Sequence, residues 1–261
     1  MNQLKKITTP ELLDVFNTTS KDVNDIIPGV LKEKEVLMIS GDTGIGKSIL
    51  AQQLALSIAT STTFPKLGAS DPYYLFGTKN KKVIFFNFEN DLSYVKSRYN
   101  KQIKGLDTND YGLKHTINTL NNNLVFIHDT SFEEHWEQIV DFIKKDSTLN
   151  GGVLFVDSHY TSTKNDYYRP LKSQIKTLKE KYNMTIVIVS HYKKRVDKKN
   201  VFNPKNISGW KRLSSFVDNL LLMHRPSIEK DIKVYIERTN TQYKMYLDDK
   251  NLHFYIKHKS K

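Results

Sequence analysis

The chain of 261 residues contains no cysteine and no apolar run that approaches the length of a bilayer crossing. The lack of cysteine excludes both disulfides and thiolate metal sites. Residues 1–6 are polar and lack the apolar stretch of a secretory signal. These absences predict a cytoplasmic protein, and no membrane partner is expected for it.

Acidic side chains are also in the minority, with 28 Asp and Glu against 40 Lys and Arg, so the formal net charge is +12. A strongly basic chain favours a polyanionic partner, which is either a nucleic acid or an anionic membrane surface. Solubility alone is the other explanation of the charge. The length fits one large domain, which buries an adequate core without covalent staples.

What the chain does contain is a glycine-rich segment that reads GDTGIGKS and fits G-x-x-x-x-G-K-[ST] at every fixed position. The glycines let backbone N–H groups point inward around a phosphate chain. The lysine then reaches the β- and γ-phosphates, and the serine holds Mg²⁺. An apolar run precedes the segment and a helical pattern follows it, so the helix N-terminus faces the anion. The alternative is a glycine-rich turn that binds nothing. The predicted phosphate-binding residues are Gly41, Asp42, Thr43, Gly44, Ile45, Gly46, Lys47 and Ser48.

Strand and helix patterns alternate through the first two thirds of the chain, and short strands with tight turns follow Asp218. This order predicts an α/β fold, with a mostly parallel central sheet flanked by helices and a C-terminal antiparallel extension. Strands are expected at 36–40, 83–89, 124–128, 153–157, 185–190, 220–224, 233–238, 244–248 and 252–257. Helices are expected at 47–60, 92–103, 132–145 and 171–182. Residues 62–82 are expected to be irregular.

Three parts are expected along the chain: an N-terminal helix and lead-in at 1–28, an ATPase core at 29–257, and a frayed basic tail at 258–261.

Two of the predicted strands end in a carboxylate. Asp157 closes the apolar run 153–156, which is the Walker B arrangement of an acid that faces Mg²⁺ at the carboxyl edge of the sheet. Glu89 follows the run 83–88 and is a candidate to orient or deprotonate the attacking water. For Glu89, an acid beside the start of the next helix is an equally good interpretation.

The strand 185–190 is followed by His191, a candidate to contact the γ-phosphate, although a histidine that closes a strand is more often structural. The stretch 192–212 follows directly, and its eight bases and one acid give a net charge of +7. Contacts from such a loop to phosphates would be independent of base sequence and sensitive to salt. Trp210 is a candidate to stack on a base, but packing on the core is the better interpretation. The predicted DNA-binding residues are Lys193, Lys194, Arg195, Lys198, Lys199, Lys205, Lys211 and Arg212.

The order of these motifs resembles the RecA-like P-loop ATPases, and most closely the RepA-type hexameric replicative helicases of plasmids and phages, which are relatives of the DnaB-like helicases. Four segments carry the resemblance: the entry and P-loop from IIPGV to LSIAT, KVIFFNFEND, VLFVDSH, and IVIVSHYKK with the later LSSFVDNLL. Together they span roughly residues 26–240.

The resemblance implies roles for residues at matching positions. Glu89 would be the catalytic carboxylate, Asp157 the Mg²⁺-linked acid and His191 the γ-phosphate sensor. A neighbouring subunit would supply a basic finger, for which Arg238 is the first candidate and Arg225 the second. ATP and Mg²⁺ are the implied cofactors.

The partners implied are single-stranded DNA, further copies of the chain in a homohexameric ring, and a replication initiator or primase. The expected activity is therefore ATP hydrolysis coupled to DNA unwinding. Two alternatives stay open: a RecA-like recombinase or annealing ATPase, and a non-motor loader that ATP switches between states.

Overall fold

The computed structural model describes most of the chain between Asp25 and Ser260. Described are residues 25–62, 66–67, 78–88, 90–105, 112–128, 135–157, 168–193, 199–226 and 231–260. The N-terminal helix predicted within 1–28 falls almost wholly outside these ranges. Glu89, Lys194, Arg195 and Lys198 also lie outside them.

Twelve strands are present in the described ranges. They are β1 Asp25–Ile27, β2 Leu31–Lys32, β3 Val36–Gly41, β4 Lys66–Leu67, β5 Val83–Asn87, β6 Leu124–His128, β7 Val153–Asp157, β8 Thr185–Val189, β9 Asn219–His224, β10 Ile232–Ile236, β11 Thr241–Asp248 and β12 His253–Ser260.

Six α-helices accompany them, namely α1 Lys47–Thr60, α2 Leu92–Gly105, α3 Gly112–Asn123, α4 His135–Lys145, α5 Tyr168–Lys181 and α6 Trp210–Leu213, with short 3-10 turns at Ser147–Leu149 and Pro204–Asn206.

Ten of the strands form one sheet in the order β4-β12-β11-β10-β9-β3-β8-β7-β5-β6. Strands β9, β3, β8, β7, β5 and β6 are parallel to one another, whereas β10, β11 and β12 continue the sheet from β9 as an antiparallel meander. The predicted α/β fold with a C-terminal antiparallel extension is confirmed. Its parallel half brings the carboxyl ends of β3, β5, β7 and β8 to one edge.

The central strands are buried on both faces, which explains their continuous apolar sequences. Alternate residues of one strand belong to different clusters: Leu37 and Ile39 pack with α1 and α3, whereas Val36 and Met38 pack with α4 and α5. Because side chains alternate along a strand, a helix layer is needed on each side. The sheet is therefore the rigid platform that holds the edge residues in place.

Several boundaries differ from those predicted. Strand β5 ends at Asn87 rather than at position 89, and the side-chain amide of Asn87 donates to the carbonyl of Asn90 at 2.6 Å just beyond it. Helix α3 was not predicted, because its asparagine-rich sequence has low helix propensity, but Leu120 anchors it in the core. Strand β4 lies within the stretch expected to be irregular.

The two chain-end expectations also need correction. Strand β12 continues to Ser260 and pairs with β11 there, so the residues expected to form a frayed basic tail are largely in the sheet. At the other end, Ile26 and Ile27 are fully buried in the core rather than part of a separate lead-in.

Candidate nucleotide-binding site

The glycine-rich segment forms the turn between the end of β3 and the start of α1, at the carboxyl edge of the parallel strands. Its glycines are required for different reasons. A Cβ on Gly41 would lie 2.3 Å from the backbone oxygen of Met223, so no side chain fits between β3 and β9. Gly44 and Gly46 have φ values of +73° and +98°, a region that L-residues rarely adopt. The segment therefore has the backbone of a phosphate loop.

The N-terminus of α1 is suited to an anion. Gly46 provides no side-chain cap, and the first turn contains no acid, so no side-chain carboxylate competes there for the helix dipole. Lys47 is only 4 % exposed, and its ammonium donates to the carbonyls of Gly41 at 3.1 Å and Asp42 at 2.7 Å. The Lys47 ammonium thus lies inside the loop, where it can bind phosphate oxygens.

Ser48 and Asp157 meet at the predicted metal position. The Ser48 hydroxyl donates to Oδ1 of Asp157 at 3.0 Å, and Asp157 is fully buried at the end of β7. A hydroxyl and a carboxylate are the hard oxygen ligands that Mg²⁺ takes beside a nucleotide. The donor set therefore fits Mg²⁺. No group of three or more His, Cys, Asp or Glu side chains that could hold a metal occurs among the described residues.

Strand β5 lies directly beside Asp157. The amide of Phe88 donates to the carbonyl of Asp157 at 2.7 Å, and Asn87 is the register partner of Asp157. On helix α2, burial raises the pKa of Tyr99 well above its ordinary value, and the nearby Asp157 carboxylate raises it further. The Tyr99 phenol is therefore neutral in the physiological range, and it lies close to the acid that the metal position requires.

His191 follows β8, whose neighbour in the sheet is β3. Its backbone oxygen accepts from the amide of Ser208 at 3.0 Å, and its side chain is partly buried. The next residue, Tyr192, donates its amide to the carbonyl of Gly41 at 3.2 Å. The strand end that carries His191 is thus joined to the first residue of the phosphate loop.

The described part of the basic segment folds back on this edge. Tyr192 forms a bridge with Ile207, and the amide of Lys193 donates to the carbonyl of Asn206 at 2.8 Å. Trp210 packs against the core, in line with the better of its two interpretations. The five described bases predicted to bind DNA are all exposed, namely Lys193, Lys199, Lys205, Lys211 and Arg212. They leave a cationic surface beside the phosphate loop.

A protein-family model described as an AAA domain matches residues 5–197, which is well over half of the chain. The chain belongs to the AAA domain family. Together with its fold, this makes it a RecA-like P-loop ATPase that binds nucleotide.

Two solved structures share the fold of this AAA domain. A KaiC-like protein from the hyperthermophilic archaeon Pyrococcus horikoshii is 14% identical, covers 89% of this chain and 94% of its own, and has a TM-score of 0.58. The second structure is the ATPase domain of another protein and is 12% identical. The match covers 94% of this chain and 97% of that domain, with a TM-score of 0.64. A comparison with curated proteins finds no match. Within the ranges that the structure describes, every helix is too short or too polar to traverse a bilayer.

Arg238, the first candidate for the finger, lies at the opposite edge of the sheet from the phosphate loop. Its Nη2 is 2.8 Å from Oε1 of Glu35, which precedes β3, and its amide donates to Oδ1 of Asn219 at the start of β9. The phosphate loop follows the other end of β3. The six residues of β3, at about 3.3 Å each, separate the two ends by roughly 20 Å. Arg238 is therefore remote from the phosphate loop of its own chain. Arg225, the second candidate, is exposed just after β9, on the phosphate-loop edge.

Sequence reasoning missed one residue at this site. His224, the last residue of β9, has its Nδ1 3.0 Å from Oδ2 of Asp42 in the phosphate loop. These residues are 182 positions apart, and the histidine belongs to no motif. Asp42 and His224 meet because Gly41 pairs with Met223 in the parallel β3–β9 pair. No local sequence pattern predicts that register.

Proposed function

We infer that this chain is the motor of a ring-forming DNA helicase, which hydrolyses ATP between subunits and moves along single-stranded DNA. The four segments that resemble RepA-type helicases support this function. One of the two solved structures that share the fold is itself the ATPase domain of another protein, which favours ATP hydrolysis here.

A single observation carries the proposal. Tyr192, the first residue of the basic segment 192–212, donates its backbone amide to the carbonyl of Gly41. The basic segment is therefore joined directly to the phosphate loop. A loop that rearranges around a triphosphate would therefore pull directly on the segment that we propose to contact DNA. Its exposed lysines would bind phosphates of any base sequence, as a translocating motor requires.

We propose the following roles for the site residues in hydrolysis. Lys47 would leave the carbonyls of Gly41 and Asp42 to neutralise the β- and γ-phosphates. Ser48 and Asp157 would hold Mg²⁺, which supplies charge neutralisation at the phosphates. Glu89, which we propose as the catalytic carboxylate, would orient the attacking water.

Arg238 is proposed as the finger that completes a neighbour's site, because it is far from its own phosphate loop and already held by Glu35. Mixing two inactive variants tests this directly. Arg238→Ala and Lys47→Ala should each hydrolyse poorly alone, whereas their mixture should regain activity at interfaces that join an intact loop to an intact arginine. A mixture of Arg225→Ala with Lys47→Ala is the control. Normal hydrolysis by Arg238→Ala alone would transfer the role to Arg225.

The function itself is tested by steady-state ATP hydrolysis with and without single-stranded DNA, together with the mass of the nucleotide-bound assembly. We expect stimulation by DNA, a closed ring and strand displacement. Lys47→Ala should abolish hydrolysis, and Glu89→Gln should bind ATP without turnover.

Other results would favour the alternatives. Filaments with pairing activity would favour a recombinase. Slow turnover that DNA does not change would favour an ATP-switched loader that works with an initiator or primase.

A further inference from the structure

Asp42 has contacts that neither phosphate binding nor the P-loop pattern requires. Its backbone oxygen accepts from Lys47 at 2.7 Å, while its carboxylate faces His224 at 3.0 Å. An ionised carboxylate only accepts hydrogen bonds, so Nδ1 of His224 is the donor. The Asp42 side chain is 38% exposed and the His224 side chain 24%, so the pair is partly shielded from water. Asp42 thus joins the phosphate-binding lysine to the end of β9.

The other side of His224 contacts the basic segment. Its ring meets Phe202 edge to face, with centroids 6.3 Å apart and an interplanar angle of 89°. Phe202 lies between the exposed Lys199 and Lys205, is itself half-buried, and packs on Tyr235 with centroids 5.6 Å apart. Aromatic pairs of this geometry hold their partners in a defined orientation. A movement of the histidine would therefore reach the cationic segment.

Tyr192 gives a second link at the same carboxylate. Its ring is buried beside Asp42, and burial, with the charge of Asp42, raises the pKa of the Tyr192 phenol. The phenol oxygen is buried and makes no hydrogen bond within the described part of the chain. The first residue of the basic segment, Tyr192, therefore lies beside Asp42, and Phe202 in the middle of the segment is linked to Asp42 through His224.

We propose that His224 is a positioning residue that couples nucleotide binding to DNA binding, through the Asp42 carboxylate on one side and Phe202 on the other. The inference rests on the proposed function, because it assumes that the basic segment binds DNA. A triphosphate draws Lys47 away from the carbonyl of Asp42 and brings negative charge next to its carboxylate. The aspartate then shifts on His224, and the histidine ring shifts Phe202 with the lysines beside it.

Two substitutions divide the histidine into its parts. His224→Asn keeps a donor near the position of Nδ1 but removes the ring that meets Phe202. His224→Phe keeps the ring and removes the donor to Asp42. Tyr235→Phe is the matched control, since it preserves the ring that packs on Phe202 and does not touch Asp42.

The measurement is the affinity for a fluorescent oligo(dT), taken with and without the β,γ-imido analogue of ATP, at fixed salt. The ratio of the two dissociation constants is the coupling factor, which typically lies at about 5–150 for linked sites. We expect the wild type and Tyr235→Phe to fall in this range, and both histidine variants to fall to about 2 or below. Analogue affinity without DNA should stay within about threefold of the wild type, which also shows that the variants fold.

Wild-type coupling in either histidine variant would overturn the inference and leave the proposed function standing. A fall in analogue affinity as large as the fall in coupling would also overturn it, because His224 would then act on the phosphate loop alone. If the wild type binds no oligo(dT) in either state, the proposed function fails first, and the inference fails with it.

Discussion

Replacing Gly46 by alanine should destabilise the protein through one identifiable contact. Gly46 precedes α1 with a φ of +98°, and a Cβ there would lie 2.9 Å from Cζ of Phe254. Phe254 is fully buried in β12, so its ring has little room to withdraw. Gly44, in the same loop, has a φ of +73°, and its Cβ would meet nothing within 4 Å. Gly44→Ala is therefore the matched control.

The magnitude follows from the difference between the two variants. Both place an alanine in the left-handed region, at roughly 1–2 kcal/mol each. Both also reduce the entropy of the unfolded chain by a similar amount. Only Gly46→Ala adds the overpacked contact with Phe254, which costs about 1–3 kcal/mol in a buried setting. The free energy of unfolding of Gly46→Ala should therefore be lower than that of Gly44→Ala by about 1–3 kcal/mol.

Urea unfolding followed by far-ultraviolet circular dichroism, without nucleotide, measures this difference. The slope with urea should be the same in both variants, so that the midpoints compare stability alone. Phe254→Leu in the Gly46→Ala background should relieve the contact and reduce the penalty by at least about half, as a double-mutant cycle reports. Equal midpoints for the two glycine variants would refute the steric reasoning.

Three further outcomes follow from the structure. Gln53→Leu should lower the free energy of unfolding in urea by about 2–4 kcal/mol, because the backbone amide and carbonyl of Phe254 in β12 lose their hydrogen bonds to the Gln53 side chain. A decrease below about 0.5 kcal/mol would contradict this. Burial opposes ionisation of Glu33, but hydrogen bonds from two lysines lower its pKa overall. The carboxylate therefore stabilises the fold above the ordinary glutamate pKa, and this contribution is lost as the pH falls through the lowered pKa; Glu33→Gln should flatten the pH dependence of the unfolding midpoint in this acidic range, and an unchanged dependence would contradict the assignment. Replacing Lys205, Lys211 and Arg212 together by alanine should reduce the salt slope of single-stranded DNA binding by about 0.7 for each DNA phosphate that these side chains neutralise, and an unchanged slope would remove this segment from the DNA interface.

The strands that carry the site were predictable because each is buried on both faces and reads as a continuous apolar run. Helix α1 was predicted with its observed ends, since the phosphate loop fixes its start. The end of β12 beyond position 257 and the whole of α3 were not predicted, because β12 is held there by pairing with β11 and α3 by packing of Leu120, and these tertiary contacts leave no local pattern. Propensity is weak where tertiary contacts decide.

The candidate site divides in the same way. The meeting of Ser48 with Asp157, 109 positions apart, was expected, because both belong to motifs that parallel strands bring to one edge. The pairing of Asp42 with His224 had no such signal. It depends on the register in which β3 pairs with β9, where Gly41 lies opposite Met223. A shift of one residue would separate Asp42 from His224, and neither strand's sequence alone specifies the register.

By itself, the amino-acid sequence determined that this chain folds as an α/β ATPase around a phosphate loop, because backbone freedom at glycine and burial of β-branched strands are local properties. Only the tertiary structure decided that Arg238 lies away from its own loop, and that the basic segment is tied to Asp42 through His224. Those contacts join residues that are distant in the chain, and strand order and register alone bring them together.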